Sequence, residues 1–162
     1  MHLIKICKSA KKSASDLAVL SNSKRNKILE DLSKNLDERK EEIFNSNKRD
    51  LKKNKTLSKE LKDRLIINDK KLKDIIRSIK NVKKLNDPLN GSEEYVRKDG
   101  LEIIKKVIPI GVICAIYESR PNVTIDITSL CIKSGNVAIL RGGKESLSTN
   151  SILINIIQKT LE

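Results

Sequence analysis

The sequence predicts an α/β protein in which a helical amino-terminal region and a β-hairpin precede a β-α-β-α unit. Three observations support this fold class. Apolar residues recur with helical spacing over most of the first 90 residues. Asp99-Gly100 separates two extended stretches, as in a hairpin turn. From residue 111, short β-branched runs alternate with helical segments. The 162 residues suit one domain, divided into residues 1–90, 92–108 and 111–162.

The first region predicts four helices, each with a recognisable start. The first carries an apolar stripe at steps of three and four residues: Leu3, Cys7, Ala10, Ala14 and Leu17. The second follows cap candidates at 21–23, and its inward residues are Ile28, Leu29, Leu32, Leu36 and Ile43. Its pattern fades at "NSNKRD". Ser58 is predicted to cap a short third helix, and Asn68 or Asp69 to cap a fourth that "NDPLNG" ends.

The second half predicts extended structure followed by a parallel unit. "EEYVRKDGLEIIKKVIP" forms the hairpin. "GVICAIYE" and "NVAILRG" are expected to be buried strands, joined by a helix that Gly135 ends, and a last helix begins near Glu145. A parallel sheet of two strands leaves its edges and faces poorly covered, so we expect the sequence to be part of something longer.

The net charge of +13 raises the possibility of nucleic-acid binding. Residues 101–162 hold 7 basic and 5 acidic side chains, and residues 1–100 hold the other 27 and 16. In that first part the two signs are interleaved, as on a solvated helix face. Aromatic residues, which single-strand readers use for stacking, make up only 2% of the chain. A solvated face is therefore the favoured interpretation, with a basic nucleic-acid-binding protein as an alternative.

Cysteine usage and hydropathy predict a cytoplasmic protein. Apolar runs fall short of the ~18–20 residues of a membrane helix, and charges interrupt the amino-terminal segment where a secretory signal needs an apolar centre. Cys7, Cys114 and Cys131 form an odd, widely spaced set that fits reduced thiols. With His2 as the lone histidine, we expect no metal site.

Known nucleotide motifs do not fit the β-α-β unit. A G-x-G-x-x-G pattern is absent. The P-loop pattern fails at Ala138, where its first glycine belongs, and at Glu145, where a hydroxyl must meet magnesium. Ligands of open parallel sheets bind beyond the carboxyl ends of the strands. Those ends carry "YESRPN" and "RGGKE", and we expect the two to lie side by side.

The second strand end offers groups suited to a cofactor. Gly142 and Gly143 would allow close approach to the backbone, and the following helix would offer free N–H groups. Arg141 and Lys144 could bind phosphate, and Glu145 could accept a hydrogen bond from a ribose hydroxyl.

The first strand end offers Asn122, a neutral amide donor suited to a developing oxyanion. Structural interpretations stay open for both ends. Pro121 and Asn122 fit the first and cap positions of a helix, and Gly142-Gly143 fits a plain turn. Cys131 in a helix and Cys114 in a buried strand are interpreted as structural rather than nucleophilic.

The segment "VIPIGVICAIYESRPNVTIDITSLCIKSGNVAILRGGKES" resembles the signature of the gamma-glutamyl phosphate reductases, also called glutamate-5-semialdehyde dehydrogenases, of the aldehyde dehydrogenase superfamily. The resemblance extends through "NSNKRDL", "LSKELKDRLIIND" and "LNDP". It implies an incomplete, Rossmann-like NADP-binding domain. It also implies NADPH-dependent reduction of L-glutamyl 5-phosphate to glutamate 5-semialdehyde and phosphate in proline biosynthesis, through thiolate attack and hydride transfer to the resulting thioester.

The resemblance also implies roles for individual residues. Asn122 matches the oxyanion-hole asparagine of the superfamily. Arg141 falls against the adenosine end of the cofactor, and Glu145 near the ribose-binding acid, although the second glycine of "RGG" loosens that alignment. Three residues would line the nicotinamide side of the cleft: Ser119, Arg120 and Pro121.

The sequence departs from the family in length. Members are far longer, and their catalytic cysteine lies downstream in a second domain that this sequence lacks. Cys114 and Cys131 do not match its context, so we expect this polypeptide to be inactive alone. The resemblance implies a small-molecule substrate and a homo-oligomer of the full-length enzyme. The alternative is a non-catalytic remnant that only oligomerises through the hairpin.

Overall fold

The computed structural model describes residues 2–162, with side chains from Leu3 onward, so the side chain of His2 lies outside the described residues. Helices form most of this part of the chain. Their bounds are α1 His2–Ala18, α2 Asn22–Glu38, α3 Lys40–Lys53, α4 Lys59–Leu65, α5 Asp69–Lys84, α6 Pro121–Lys133 and α7 Leu147–Leu161. The strands are β1 Ser92–Val96, β2 Glu102–Lys106, β3 Val112–Ile116 and β4 Val137–Arg141. The predicted order of a helical region, a hairpin and a β-α-β-α unit is confirmed, although the helical region has five helices where four were predicted.

Side-chain caps begin three of the helices at the predicted positions. The Ser21 hydroxyl accepts a hydrogen bond from the Lys24 amide at 3.3 Å, and the Ser58 hydroxyl accepts one from the Leu61 amide at 3.4 Å. The Asn68 side chain accepts from the Lys71 amide at 2.9 Å, so Asn68 rather than Asp69 caps α5. Each acceptor satisfies an amide that the first turn of a helix leaves unpaired.

The predicted second helix is in fact two helices, α2 and α3, which meet at Arg39. The apolar pattern fades at "NSNKRD", but the helix does not end there, because α3 continues to Lys53. Its inward face there is polar: Ser46, Asn47 and Asp50 are buried. Apolar periodicity therefore did not reveal this part of the helix.

The core lies where α2, α3, α5, α6 and α7 pack together. Its buried apolar members include Leu29, Leu32, Leu36, Ile43, Leu72, Ile75, Ile79, Ile125, Ile132, Leu153 and Ile156. Helix α1 contributes little to it. Ala10 and Ala14 are buried, but Leu3 is 68% exposed and Cys7 is also exposed, so only part of the predicted stripe packs inward.

The hairpin pairs β1 with β2 in antiparallel register, with Ser92 opposite Lys106 and Val96 opposite Glu102. Gly100 has φ +88° in the connecting loop, a conformation that favours glycine. Almost all residues of both strands are exposed. The hairpin therefore extends from the core instead of packing on it.

The second sheet pairs β3 and β4 in parallel. Both strands were predicted to be buried, and both are only partly covered. Helices α1 and α6 pack mainly on β4, and each strand has one neighbour, so Ile116 is 81% exposed and Cys114 is also exposed. The expectation of a poorly covered two-stranded sheet is confirmed, and the prediction of a buried Cys114 is wrong.

Candidate functional site at the strand ends

The two strand ends lie at one edge of the parallel sheet, as predicted. Ile116 is paired with Arg141 in the register of β3 and β4. The Tyr117 amide then donates to the Arg141 carbonyl oxygen at 3.0 Å, which extends the pairing by one residue. "YESRPN" and "RGGKE" therefore leave the sheet as neighbours.

A hydrogen bond joins the two segments. The Ser119 hydroxyl donates to a carboxylate oxygen of Glu145 at 2.6 Å. This bond is the main cause of a lowered pKa of the Glu145 carboxyl, which favours its ionised form. The family resemblance implies that Ser119 lines the nicotinamide side and that Glu145 lies near a ribose, whereas the structure places their side chains in contact.

The glycine pair is required by close packing between these segments. A Cβ on Gly143 would lie 2.5 Å from the Ser119 hydroxyl oxygen and 2.8 Å from a Glu145 carboxylate oxygen. A Cβ on Gly142 would lie 2.4 Å from the Asn150 amide nitrogen and 3.1 Å from the Tyr117 ring. Gly143 has φ −63°, so space rather than backbone conformation explains its identity.

A chain of polar contacts fixes the shape of the two segments. The Tyr117 and Thr124 hydroxyl oxygens are 2.6 Å apart, and Thr124 donates to the Asn150 side-chain oxygen at 3.0 Å. Asn150 in turn donates to the Ser146 hydroxyl, which donates to the Gly143 carbonyl oxygen at 3.1 Å. The chain links β3, α6, α7 and the loop after β4. These supporting residues carry no recognisable motif in the sequence, because their partners are distant in the chain.

Helix α3 and its C-cap residue also hold the segment between β4 and α7. The buried Asp50 carboxylate accepts hydrogen bonds from the amides of Ser148 and Thr149 and from the Thr149 hydroxyl, at 3.0, 2.7 and 2.7 Å. Asn54 donates to the Glu145 carbonyl oxygen at 3.0 Å. The expectation that the last helix offers free N–H groups is wrong for Ser148 and Thr149, because Asp50 satisfies both.

Arg141 and Lys144 are the cations of the "RGGKE" segment. Both are exposed, and neither forms an ion pair with another residue in 2–162. Because solvated cations without a carboxylate partner can accept a phosphate without breaking an existing pair, these two suit an anionic ligand.

The "RPN" segment begins α6. Arg120 occupies the cap position and Pro121 the first helical position, so the helix-start interpretation of Pro121 is confirmed and that of Asn122 as cap is wrong. The Asn122 amide donates to Asp126 at 3.2 Å, and Asp126 also accepts from the Ser78 hydroxyl at 3.0 Å. Arg120, Pro121 and Asn122 all line a cleft of about 580 Å³ between α4, α5 and α6.

The thiols lie apart from this cleft. Cys131 is buried in α6, and burial raises the pKa of its thiol; Cys7 and Cys114 are exposed on α1 and β3. Within residues 2–162 the structure contains no group of three or more His, Cys, Asp or Glu side chains that could hold a metal ion. In the same range, no helix is both long enough and apolar enough to span a membrane.

Comparison with solved structures first defines the fold. A putative aldehyde dehydrogenase from Bacillus subtilis superposes on 94% of the chain with a TM-score of 0.69 at 17% identity, and the match spans 32% of that protein. The architecture is thus that of part of an aldehyde dehydrogenase-like α/β fold. No protein-family model matches the chain.

Three proteins with higher sequence identity to the chain are each named gamma-glutamyl phosphate reductase. Gamma-glutamyl phosphate reductase from Actinobacillus pleuropneumoniae is 41% identical over 165 residues, which covers 100% of the chain and 40% of that relative. The crystal structures of gamma-glutamyl phosphate reductase from Thermotoga maritima and Saccharomyces cerevisiae give TM-scores of 0.94 and 0.89 at 36% and 37% identity. They cover 98% and 97% of the chain, and the chain spans 39% and 41% of them. The chain is a homologue of the amino-terminal part of gamma-glutamyl phosphate reductases, and it spans about 40% of the length of the curated relatives it matches.

Proposed function

We propose that the chain forms the amino-terminal, NADP-binding part of a gamma-glutamyl phosphate reductase. That enzyme would reduce L-glutamyl 5-phosphate with NADPH to glutamate 5-semialdehyde and phosphate, as a step of cytoplasmic proline biosynthesis. The observation that carries the proposal is 41% identity to such a reductase across the whole chain. The geometry of the strand ends is compatible with it.

The residues at the strand ends fit a nicotinamide dinucleotide. Arg141 and Lys144 offer exposed positive charge for its phosphates. The Glu145 carboxylate, held by Ser119, offers an acceptor for a ribose hydroxyl. Because the two side chains touch, we assign Ser119 to the ribose side together with Glu145. Arg120 and Pro121 keep their proposed place toward the nicotinamide, and Gly142 and Gly143 shape the loop.

Asn122 is the proposed catalytic group of this part of the enzyme. Its side-chain amide has two N–H bonds, and one of them is directed at Asp126. The other can donate to the acyl oxygen as negative charge develops there. A neutral donor on the first turn of α6 is suited to this role, because its position is fixed before the reaction begins. The cofactor, when bound, supplies hydride for the reduction.

The proposal is tested by titrating the purified chain with NADPH and following nicotinamide fluorescence. Arg141→Ala should weaken binding by about tenfold, the usual effect of removing a charged partner of a phosphate. Arg97→Ala is the matched control, because Arg97 is an exposed hairpin arginine that pairs with Asp99. Equal affinities of the two variants, or no binding by the unaltered chain, would contradict a cofactor site in these residues.

An oligomerisation module is the second candidate, favoured by the exposed hairpin. Tyr95, Val96 and Ile104 are each more than half exposed although they lie in paired strands. Sedimentation of the chain with and without Ile104→Asp tests this role. A concentration-dependent oligomer that the substitution abolishes would support it, and a monomer in both cases would contradict it.

A further inference from the structure

The cleft beside Asn122 carries charges of both signs. It lies between α4, α5 and the first turns of α6 and has a volume of about 580 Å³. Its charged lining comprises Arg64, Lys71, Arg120, Asp63, Asp74 and Asp126. The strand-end residues of "RGGKE" do not line it. A pocket that offers both cationic and anionic side chains suits a zwitterion better than a nucleotide phosphate or an apolar group.

We propose that this cleft binds the α-amino-acid headgroup of the acyl substrate. In this arrangement Asp126 accepts the ammonium group, and Arg64 and Arg120 bind the α-carboxylate. The inference rests on the proposed function, which supplies a substrate with a glutamyl headgroup. It adds a binding site for that headgroup and the residues that recognise its two charges.

Asp126 is the carboxylate best placed for a cationic ligand. It is half-buried, and within residues 2–162 it has only the neutral donors Asn122 and Ser78 as hydrogen-bond partners. A partly desolvated carboxylate gains most from an added positive charge when it has no counter-ion of its own. Asp74, by contrast, already pairs with Arg77 at 3.0 Å and is exposed.

Two arginines of the cleft can bind a carboxylate without a large rearrangement. Arg120 is exposed and makes no ion pair within the described residues. Arg64 makes one pair, to the exposed Glu118 at 3.3 Å, and such surface pairs contribute little stability. Lys71 instead donates to the Asp63 carbonyl oxygen. The two guanidinium groups are therefore the available partners, and their planar donors match a carboxylate.

The spacing along α6 matches the length of the glutamyl chain. Asn122 and Asp126 are one turn apart, about 6 Å along the helix axis. The acyl carbon and the amino nitrogen of an extended glutamyl group are separated by roughly 5 Å, given bond lengths near 1.5 Å. One N–H of Asn122 stays directed at Asp126, and the other can donate to the acyl oxygen while the ammonium contacts the same carboxylate.

The test uses stable probes that differ in one charge. L-Glutamic acid γ-methyl ester carries the full headgroup, monomethyl glutarate lacks the ammonium, and methyl 4-aminobutyrate lacks the carboxylate. Each is titrated into the ¹⁵N-labelled chain and followed by amide chemical shifts. We expect saturable shifts around the cleft for the first ester and at least tenfold weaker binding of the other two, as for loss of a charged hydrogen bond.

Variants assign the ammonium site. Asp126→Asn keeps the size of the side chain and one of the two oxygens that accept from Ser78 and Asn122. It should weaken the glutamate ester about tenfold or more while leaving monomethyl glutarate unchanged. Asp74→Asn removes the same charge from the same cleft and should change neither affinity by more than about twofold. Equal binding of all three probes, or equal effects of the two variants, would overturn the proposal.

A parallel NADPH titration separates this inference from the proposed function. If NADPH binds and the glutamate ester does not, the headgroup site is wrong and the cofactor site stands. If the ester binds as described and NADPH does not, the headgroup site stands and the cofactor site is wrong. If neither binds to a chain that still unfolds cooperatively, both are wrong for this polypeptide.

Discussion

Asp50 illustrates how a buried polar residue can position a loop that it does not itself belong to. Its carboxylate is 2% exposed and satisfies three donors at the start of α7. Asn54, the C-cap residue of α3, donates to the Glu145 carbonyl oxygen. Both contacts join residues about 90 or more positions apart in the chain. The ordered position of "RGGKE" therefore depends on α3 as well as on β4.

Replacing Asp50 should destabilise the fold. Asp50→Ala leaves the partly buried Ser148 amide and the buried Thr149 amide without an acceptor. We expect a loss of about 2–3 kcal/mol in the free energy of unfolding, measured in urea. Asp31→Ala is the control, because Asp31 forms a helix-surface pair with Lys27 and its loss should cost less than about 1 kcal/mol. Similar losses in the two variants would contradict the capping role of Asp50.

At the scale of the elements, local sequence signals predicted the helix starts, because a helix start does not depend on residues distant in the chain. Ser21, Ser58 and Asn68 were recognisable because a cap acts within three residues of its partner. The polar face of α3 could not be predicted from periodicity, since Asp50 finds its donors only after α7 has packed against it. Strand burial was overestimated because it depends on neighbouring strands as well as on composition.

The connection between β4 and α7 should be sensitive to side-chain size. Gly143→Ala brings a Cβ within 2.5 Å of the Ser119 hydroxyl oxygen, and we expect a loss of about 1–3 kcal/mol in the free energy of unfolding. Gly91→Ala is the matched control, because its nearest contact is Val107 at 3.4 Å. Adding Ser119→Ala to Gly143→Ala should recover part of the loss. No recovery would show that the clash with Ser119 is not the cause.

The contact between α2 and α5 should depend on pH through Glu30. Hydrogen bonds from Lys83 and then Lys34 lower the pKa of Glu30 to about 2. Because the pKa is lower in the folded state, the ionised carboxylate stabilises the fold above its ordinary pKa near 4.5, and this contribution is lost as the pH falls toward 2. The difference in unfolding free energy between the natural chain and Glu30→Gln should therefore shrink over this range.

A double-mutant cycle assigns that pH dependence to the pair. In a Lys83→Met background, Glu30→Gln should have a smaller effect at neutral pH, since the Lys83 ammonium, which donates to the carboxylate at 3.0 Å, is gone. Unfolding in urea at several pH values gives all four free energies. An unchanged effect of Glu30→Gln in that background would contradict the assignment.

At the scale of the whole molecule, topology predicted the place of the site and not its details. Parallel strands in sequence bring "YESRPN" and "RGGKE" to one edge, which follows from connectivity alone. The contact between Ser119 and Glu145 depends on side-chain geometry across that edge. The charged cleft could not be predicted either, because Arg64 and Asp126 meet there only through the packing of α4 and α5 beside α6.

The positions of the cysteines in the whole molecule predict that these 162 residues do not catalyse the reduction alone. The proposed reaction needs a thiolate at the acyl carbon. Cys131 is buried with a raised thiol pKa, and neither exposed cysteine lines the cleft beside Asn122. Incubation with the acyl phosphate and NADPH should therefore show nicotinamide oxidation at the spontaneous rate. The Asn122→Ala variant is the control, and it should match the natural chain. Turnover that depends on the chain and falls in Asn122→Ala would contradict this prediction and would show that one of the three thiols reaches the substrate.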